Sequence, residues 1–213
     1  MISLEKIDAL LTQRTPRLAR FGRSAVGNAS VAVWHLKGRA GPPPSRLKRR
    51  IIRRFGALYD TRVLVETGTF RGGTVDALRR SFGHVFSIEL SDFYYDQATQ
   101  KFKDVPNVTI IQGDSGDVLA GLVATLDAPA MFWLDAHWSG GKTAQSTIDS
   151  PVSSELSALL ASDIPHVILI DDARLFDGTD GYPSLNDLRT EVALGRIHRD
   201  VVVESDIIRL TPA

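Results

Sequence analysis

Residues Val63 to Thr74 read Val-Leu-Val-Glu-Thr-Gly-Thr-Phe-Arg-Gly-Gly-Thr, and no other stretch limits the fold so tightly. Three β-favouring apolar residues run into Glu66. Gly68, Gly72 and Gly73 follow, and then Val75, Ala77 and Leu78 recur at helical spacing. This order predicts a buried strand, a tight glycine turn and a helix start. Glycine is needed where backbone bends sharply or lies close to a ligand. In open α/β sheets ligands bind outside the carboxyl ends of the strands, which is where this turn falls. The spacing is G-x-x-x-G-G, not the G-x-G-x-x-G of dinucleotide sites. Two readings follow: a nucleotide-type site, or a βα turn that needs glycine only for packing.

From Arg62 onward the pattern alternates. Strands are expected at 62–66, 84–88, 107–111, 129–135 and 166–171, and helices at 72–82, 91–103, 115–126, 151–162 and 184–194. Alternation of this kind gives a parallel sheet with right-handed crossovers. The last stretch differs. Val201-Val202-Val203, Glu204-Ser205-Asp206 and Ile207-Ile208 read as two short strands around a tight turn, so the sheet closes with a hairpin containing an antiparallel strand. The fold class is α/β, a doubly wound, mostly parallel sheet.

Several expected strands end on an acid: Glu66, Glu89, Asp135, and Asp171 followed by Asp172. The third strand is followed by Gly113-Asp114-Ser115. With the strands in the order 3-2-1-4-5, four carboxylates line one sheet edge, ~4.8 Å apart from strand to strand. Unit charges ~5 Å apart repel by about 3 kcal/mol at an effective dielectric of 20. Such a row calls for a cationic ligand, a metal, or both, and disfavours a pyrophosphate.

The roles separate by position. Glu89 ends the second strand, the place of ribose-binding carboxylates in doubly wound folds. Asp114 and Ser115 are placed to meet an adenine edge, with an N-cap as the plainer role for Asp114. Glu66 and the turn can hold an amino-acid ammonium and carboxylate. An adenosine bearing an amino acid and a sulfonium is S-adenosylmethionine. Asp135 and Asp171 end adjacent strands and could share one hard divalent cation, Mg²⁺ by preference. Asp172 reaches the same ion only if the chain turns after Asp171, since successive strand residues face opposite ways. His137 is a further ligand candidate or a general base.

On these residues the chain from about position 60 to its end resembles the class I S-adenosylmethionine-dependent methyltransferases. Within them it is most similar to the metal-dependent O-methyltransferases of catechol, caffeoyl-CoA and macrocin type. The resemblance implies a Rossmann-like seven-stranded sheet of order 3-2-1-4-5-7-6. It implies cofactor contacts from Glu66, Thr67, Gly68, Thr69, Gly72, Gly73, Glu89, Asp114 and Ser115. It also implies metal ligation by Asp135, Asp171 and Asp172. Catechol-type enzymes carry a catalytic Lys just after the first metal Asp, whereas this chain has His137 and Trp138. The catalytic residues expected here are therefore Asp135 and His137, with the 136–150 segment as a candidate lid. The expected activity is metal-assisted O-methylation of a hydroxyl on a small molecule or glycan. The alternative is a non-catalytic module of the same fold that binds S-adenosylmethionine or docks on a membrane or glycan.

Composition adds exclusions and one asymmetry. The 213 residues contain no cysteine, which rules out disulfides, thiolate catalysis and cysteine zinc sites. No apolar run approaches the ~20 residues of a membrane span. Met1-Ile-Ser-Leu-Glu-Lys-Ile-Asp lacks a basic region followed by an apolar core, so no signal peptide is expected and a cytoplasmic location is the default expectation. The net charge is zero, yet residues 1–55 hold thirteen Lys and Arg against Glu5 and Asp8. A basic helical extension over 1–55 and a methyltransferase domain over 56–213 are the expected division. Ile2–Leu11 and Ser45–Leu58 are expected to be helical, the second with Leu47, Ile51, Phe55 and Leu58 on one face. Arg14–Gly41 reads as loop or weak helix. Two readings of the basic segment stand: docking on an anionic membrane surface or an acidic glycan, or a helix over 45–58 packed over the cofactor site with its charges solvated; nucleic acid is not the expected partner, and a homo-oligomer is compatible with the sequence.

Overall fold

The structure is a computed structural model and describes residues 27–39, 41–135, 151–179 and 181–213. The helix expected over 2–11, His137, Trp138 and the candidate lid over 136–150 lie outside the described residues. The chain divides into two compact units between Arg50 and Ile51; the division expected from composition falls after residue 55.

In the first unit, residues 27–36 form a helix, α1, inside the stretch read as loop or weak helix. Val31 and Trp34, three residues apart, bury one side of it. The Trp34 indole N–H donates to the Gly41 carbonyl at 3.1 Å. After Pro42–Pro44, helix α2 spans Ser45–Leu58 and runs on into the second unit. Its buried stripe differs from the expected one. Ile51, Ile52 and Gly56 are buried, whereas Leu58 is 66% exposed. Gly56 sets this stripe: a Cβ there would come within 2.7 Å of the Phe82 ring. The helix therefore presses its backbone on Phe82 and turns Leu58 outward.

The second unit alternates as expected: β1 Val63–Thr67, α3 Gly73–Leu78, β2 His84–Glu89, α4 Asp92–Phe102, β3 Val108–Gln112, α5 Ser115–Val123, β4 Met131–Leu134, α6 Val152–Leu160 and β5 Val167–Ile170. A short 3₁₀ turn over Ala173–Leu175, α7 Leu185–Leu194, β6 Arg199–Glu204 and β7 Ile207–Pro212 complete it. The seven strands lie in the order β3-β2-β1-β4-β5-β7-β6. β7 runs antiparallel to both β5 and β6, so the closing hairpin stands where the sequence puts it. All four residues of β4 and all four of β5 are buried, as a parallel strand covered on both faces requires. Val65, Phe132, Leu134, Ile168 and Ile170 meet Leu119, Leu156, Leu159, Leu188 and Val192 in one apolar cluster that includes residues of α5, α6 and α7.

Candidate functional site

Strand register assembles the edge. Thr67 pairs with Ile88 and with Leu134, and Leu134 with Ile170. These four residues form one row across β2, β1, β4 and β5. Glu89, Asp135 and Asp171 each stand one residue beyond that row, and Glu66 one residue before it. The alternation of strand side chains then sends Glu66 and Thr67 to opposite faces.

The turn after β1 is built from left-handed backbone. Gly68, Phe70 and Gly72 have φ of 87°, 48° and 63°. The two outer glycines serve different ends. A Cβ on Gly72 would lie 2.6 Å from the Phe102 ring, so packing alone forbids it. Among the described residues, a Cβ on Gly68 would meet only Asp135, at 3.6 Å, an ordinary contact. Among the described residues, packing alone does not demand a glycine at position 68. Gly73 is the first residue of α3.

Glu66, Glu89, Asp114, Asp171 and Asp172 each accept from donors of their own. The Ser87 hydroxyl donates to Glu66 Oε2 at 2.8 Å and shares a 2.6 Å hydrogen bond with the Thr69 hydroxyl. Glu89 accepts from the Phe70 N–H at 2.7 Å and from the Ser91 N–H at 2.9 Å, one on each oxygen. Asp114 takes the plainer role foreseen for it, accepting from the Gly116 N–H at 2.9 Å as N-cap of α5. Asp172 has φ 55°, which supplies the turn needed after Asp171. Its N–H donates to Asp171 Oδ1 at 2.9 Å. The structure therefore brings together Asp135, Asp171 and Asp172, with one ligand atom from each within 4.8 Å of the others. His137 is outside the described residues and is not placed.

Three participants were not visible from the acidic motifs. Arg174 Nη1 donates to Asp172 Oδ1 at 2.6 Å and also to Asp206 Oδ2 in the β6–β7 turn. Ser87 is the third residue in the Glu66–Thr69 network. Glu155 is the most unusual. It is 1% exposed, and neither carboxylate oxygen has a hydrogen-bond partner among the described residues. Burial pushes its carboxyl up to about 7; the Ser115 and Thr67 hydroxyls oppose that shift, while Asp114 and Asp135 add to it. The two hydroxyls are thus near enough to act on the charge, yet neither closes a bond of ordinary geometry to it. A helical signal for Glu155 exists: it stands three residues after Val152 and four before Leu159, both buried.

No family model matches the chain, and no curated protein matches it by sequence. Solved structures do. The chain is similar to an O-methyltransferase from Bacillus cereus in complex with SAH, at 17% identity and a TM-score of 0.55, over 88% of this chain and 90% of that one. It is similar to the O-methyltransferase TomG from Streptomyces achromogenes, involved in tomaymycin synthesis and in complex with SAM, at 14% identity and a TM-score of 0.54 over 100% of both. It is also similar to the 23S rRNA methyltransferase ErmE, at 16% identity and a TM-score of 0.50, over 78% and 68%. The fold is that of the class I S-adenosylmethionine-dependent methyltransferases. In that fold the turn over Gly68–Gly72 and the carboxylate of Glu89 stand at the carboxyl edge, where open α/β sheets bind ligands.

Proposed function

We propose that this chain is an S-adenosylmethionine-dependent methyltransferase that acts on a hydroxyl oxygen with help from a divalent cation. The observation that carries the reading is the carboxylate edge: Glu89, Asp135 and Asp171 in one row, with the three aspartates converging within 4.8 Å.

The residues present suit both groups. Two backbone N–H donors hold Glu89, and each oxygen keeps a second lone pair for the vicinal hydroxyls of a ribose. The bare Cα of Gly68 allows close approach in front of the turn. S-adenosylmethionine, when bound, supplies an electrophilic methyl on a sulfonium. Asp135, Asp171 and Asp172 are hard oxygen donors of the kind Mg²⁺ takes. Arg174 occupies one oxygen of Asp172 and helps fix its orientation. A divalent cation, when bound there, supplies Lewis acidity toward the acceptor hydroxyl.

The chain's own part is positional. Glu89 and the turn orient the donor, and the aspartates orient the acceptor, a contribution worth about 7–11 kcal/mol of barrier in well-aligned transfers. His137 is the proposed acceptor of the hydroxyl proton, and a small-molecule or glycan hydroxyl is the proposed substrate. The test is Asp135→Ala with a labelled methyl donor and a panel of hydroxylated acceptors, with Mg²⁺ and with EDTA. Methyl transfer is lost in the variant and in EDTA, while donor affinity stays within about fivefold. Equal transfer by wild type with and without EDTA removes the metal from the reading.

A further inference from the structure

The floor of the candidate cofactor edge contains a group that the proposed chemistry does not use. Glu155, in the first turn of α6, is buried with two bare oxygens. Thr67 Oγ1 is likewise buried and has no partner among the described residues. Thr67 is the last residue of β1, next to Gly68; Ser115 is the first of α5, next to Asp114. The α5 start packs closely on α6: a Cβ on Gly116 would lie 3.3 Å from Ser154 Cβ. Glu155 therefore stands between two segments proposed to hold opposite ends of the cofactor.

Burying a carboxyl group without hydrogen bonds is expensive. A leucine of similar volume would share its helix face with the buried Val152 and Leu159 at no such cost. A polar group kept where an apolar one would stabilise the fold points to a role other than stability.

We propose that Glu155 is a positioning residue that ties the Thr67 and Ser115 hydroxyls together beneath the cofactor, fixing the β1 turn against the start of α5. The inference rests on the cofactor reading above. In this role its carboxyl serves the two hydroxyls rather than the donor or the reacting atoms. It acts through the two hydroxyls, whose bonds to it close as the cofactor loads the Asp114–Ser115 segment.

The test is calorimetric titration of the full chain with S-adenosylhomocysteine, alongside thermal melts, for wild type, Glu155→Gln and Glu155→Leu. Glu155→Leu melts no lower than wild type and binds at least tenfold more weakly. Glu155→Gln, which still donates and accepts, binds within threefold of wild type. A double variant, Thr67→Val with Ser115→Ala, covers the case in which Glu155→Leu fails to fold: it loses at least tenfold. Affinity within threefold for Glu155→Leu or for the double variant, or a loss in Glu155→Gln equal to that in Glu155→Leu, overturns the inference. A wild-type chain that binds no S-adenosylhomocysteine overturns instead the cofactor reading on which it stands.

Discussion

Glu89 is the residue proposed to bind the ribose, and two backbone donors hold its carboxylate. Its two oxygens are pinned by the N–H groups of Phe70 and Ser91, so its free lone pairs keep one direction. Glu89→Ala is expected to weaken S-adenosylmethionine binding by tenfold or more in titration calorimetry; unchanged affinity contradicts the ribose role. Two buried groups make the residue scale visible in stability as well. Glu155 is pushed up to about 7 by burial, so the folded state holds a proton that the unfolded chain releases above 4.5. Its contribution falls as pH rises between those values, by about 3 kcal/mol. His166 is pushed down to about 4 by burial and by Arg199, so the unfolded chain takes up a proton below 6.5 that the folded state refuses. Its contribution is present above 6.5 and is lost as pH falls toward 4, again by about 3 kcal/mol. From 4.5 to 6.5 the two slopes oppose. Urea denaturation in EDTA should show Glu155→Gln gaining on wild type, from near zero at pH 4.5 to about 3 kcal/mol at pH 7. A constant difference across that range would mean that Glu155 is not the titrating group.

Among the elements, the turn after β1 separates packing from function. Gly72→Ala meets both a left-handed φ of 63° and the Phe102 ring at 2.6 Å. Its cost is expected to be about 3 kcal/mol by chemical denaturation. Gly68→Ala carries only the backbone cost, about 1–2 kcal/mol, but is expected to reduce cofactor affinity more than tenfold. A Gly68 variant that binds normally would return the turn to the packing-only reading. Much of this element structure was legible. Apolar runs such as Ile168-Leu169-Ile170 announce buried strands, and the Val201–Ile208 doublet announces the hairpin, because strand burial writes itself directly into composition. The condition placed on Asp172, a turn immediately after Asp171, is met by its φ of 55°. What escaped was set by neighbours distant in sequence. Phe82 decides which face of α2 is buried, and Asp206, on the far hairpin, completes the Arg174 pair. Glu155 lay in plain view on an apolar helical face, but a charged residue there reads as solvated until its burial is seen.

At the scale of the whole molecule the charge is partitioned. Thirteen bases against two acids lie in residues 1–55, and twelve bases against twenty-three acids in the rest. No helix of the described residues is long and apolar enough to cross a membrane. The proposed use of the basic segment is attachment to an anionic lipid surface, where each Lys or Arg near the headgroups contributes about 1 kcal/mol. Full-length protein should co-sediment with phosphatidylserine vesicles and be released by 0.5 M salt, as screening at a Debye length of roughly 4 Å requires; equal recovery with neutral vesicles contradicts it. The acidic remainder is where the proposed chemistry resides, and everything proposed for it depends on the donor binding at the carboxyl edge. Calorimetric titration of the wild-type chain with S-adenosylmethionine tests that directly. Saturable one-to-one binding with a dissociation constant below about 1 mM is the predicted result, and the absence of binding heat at millimolar donor would contradict it.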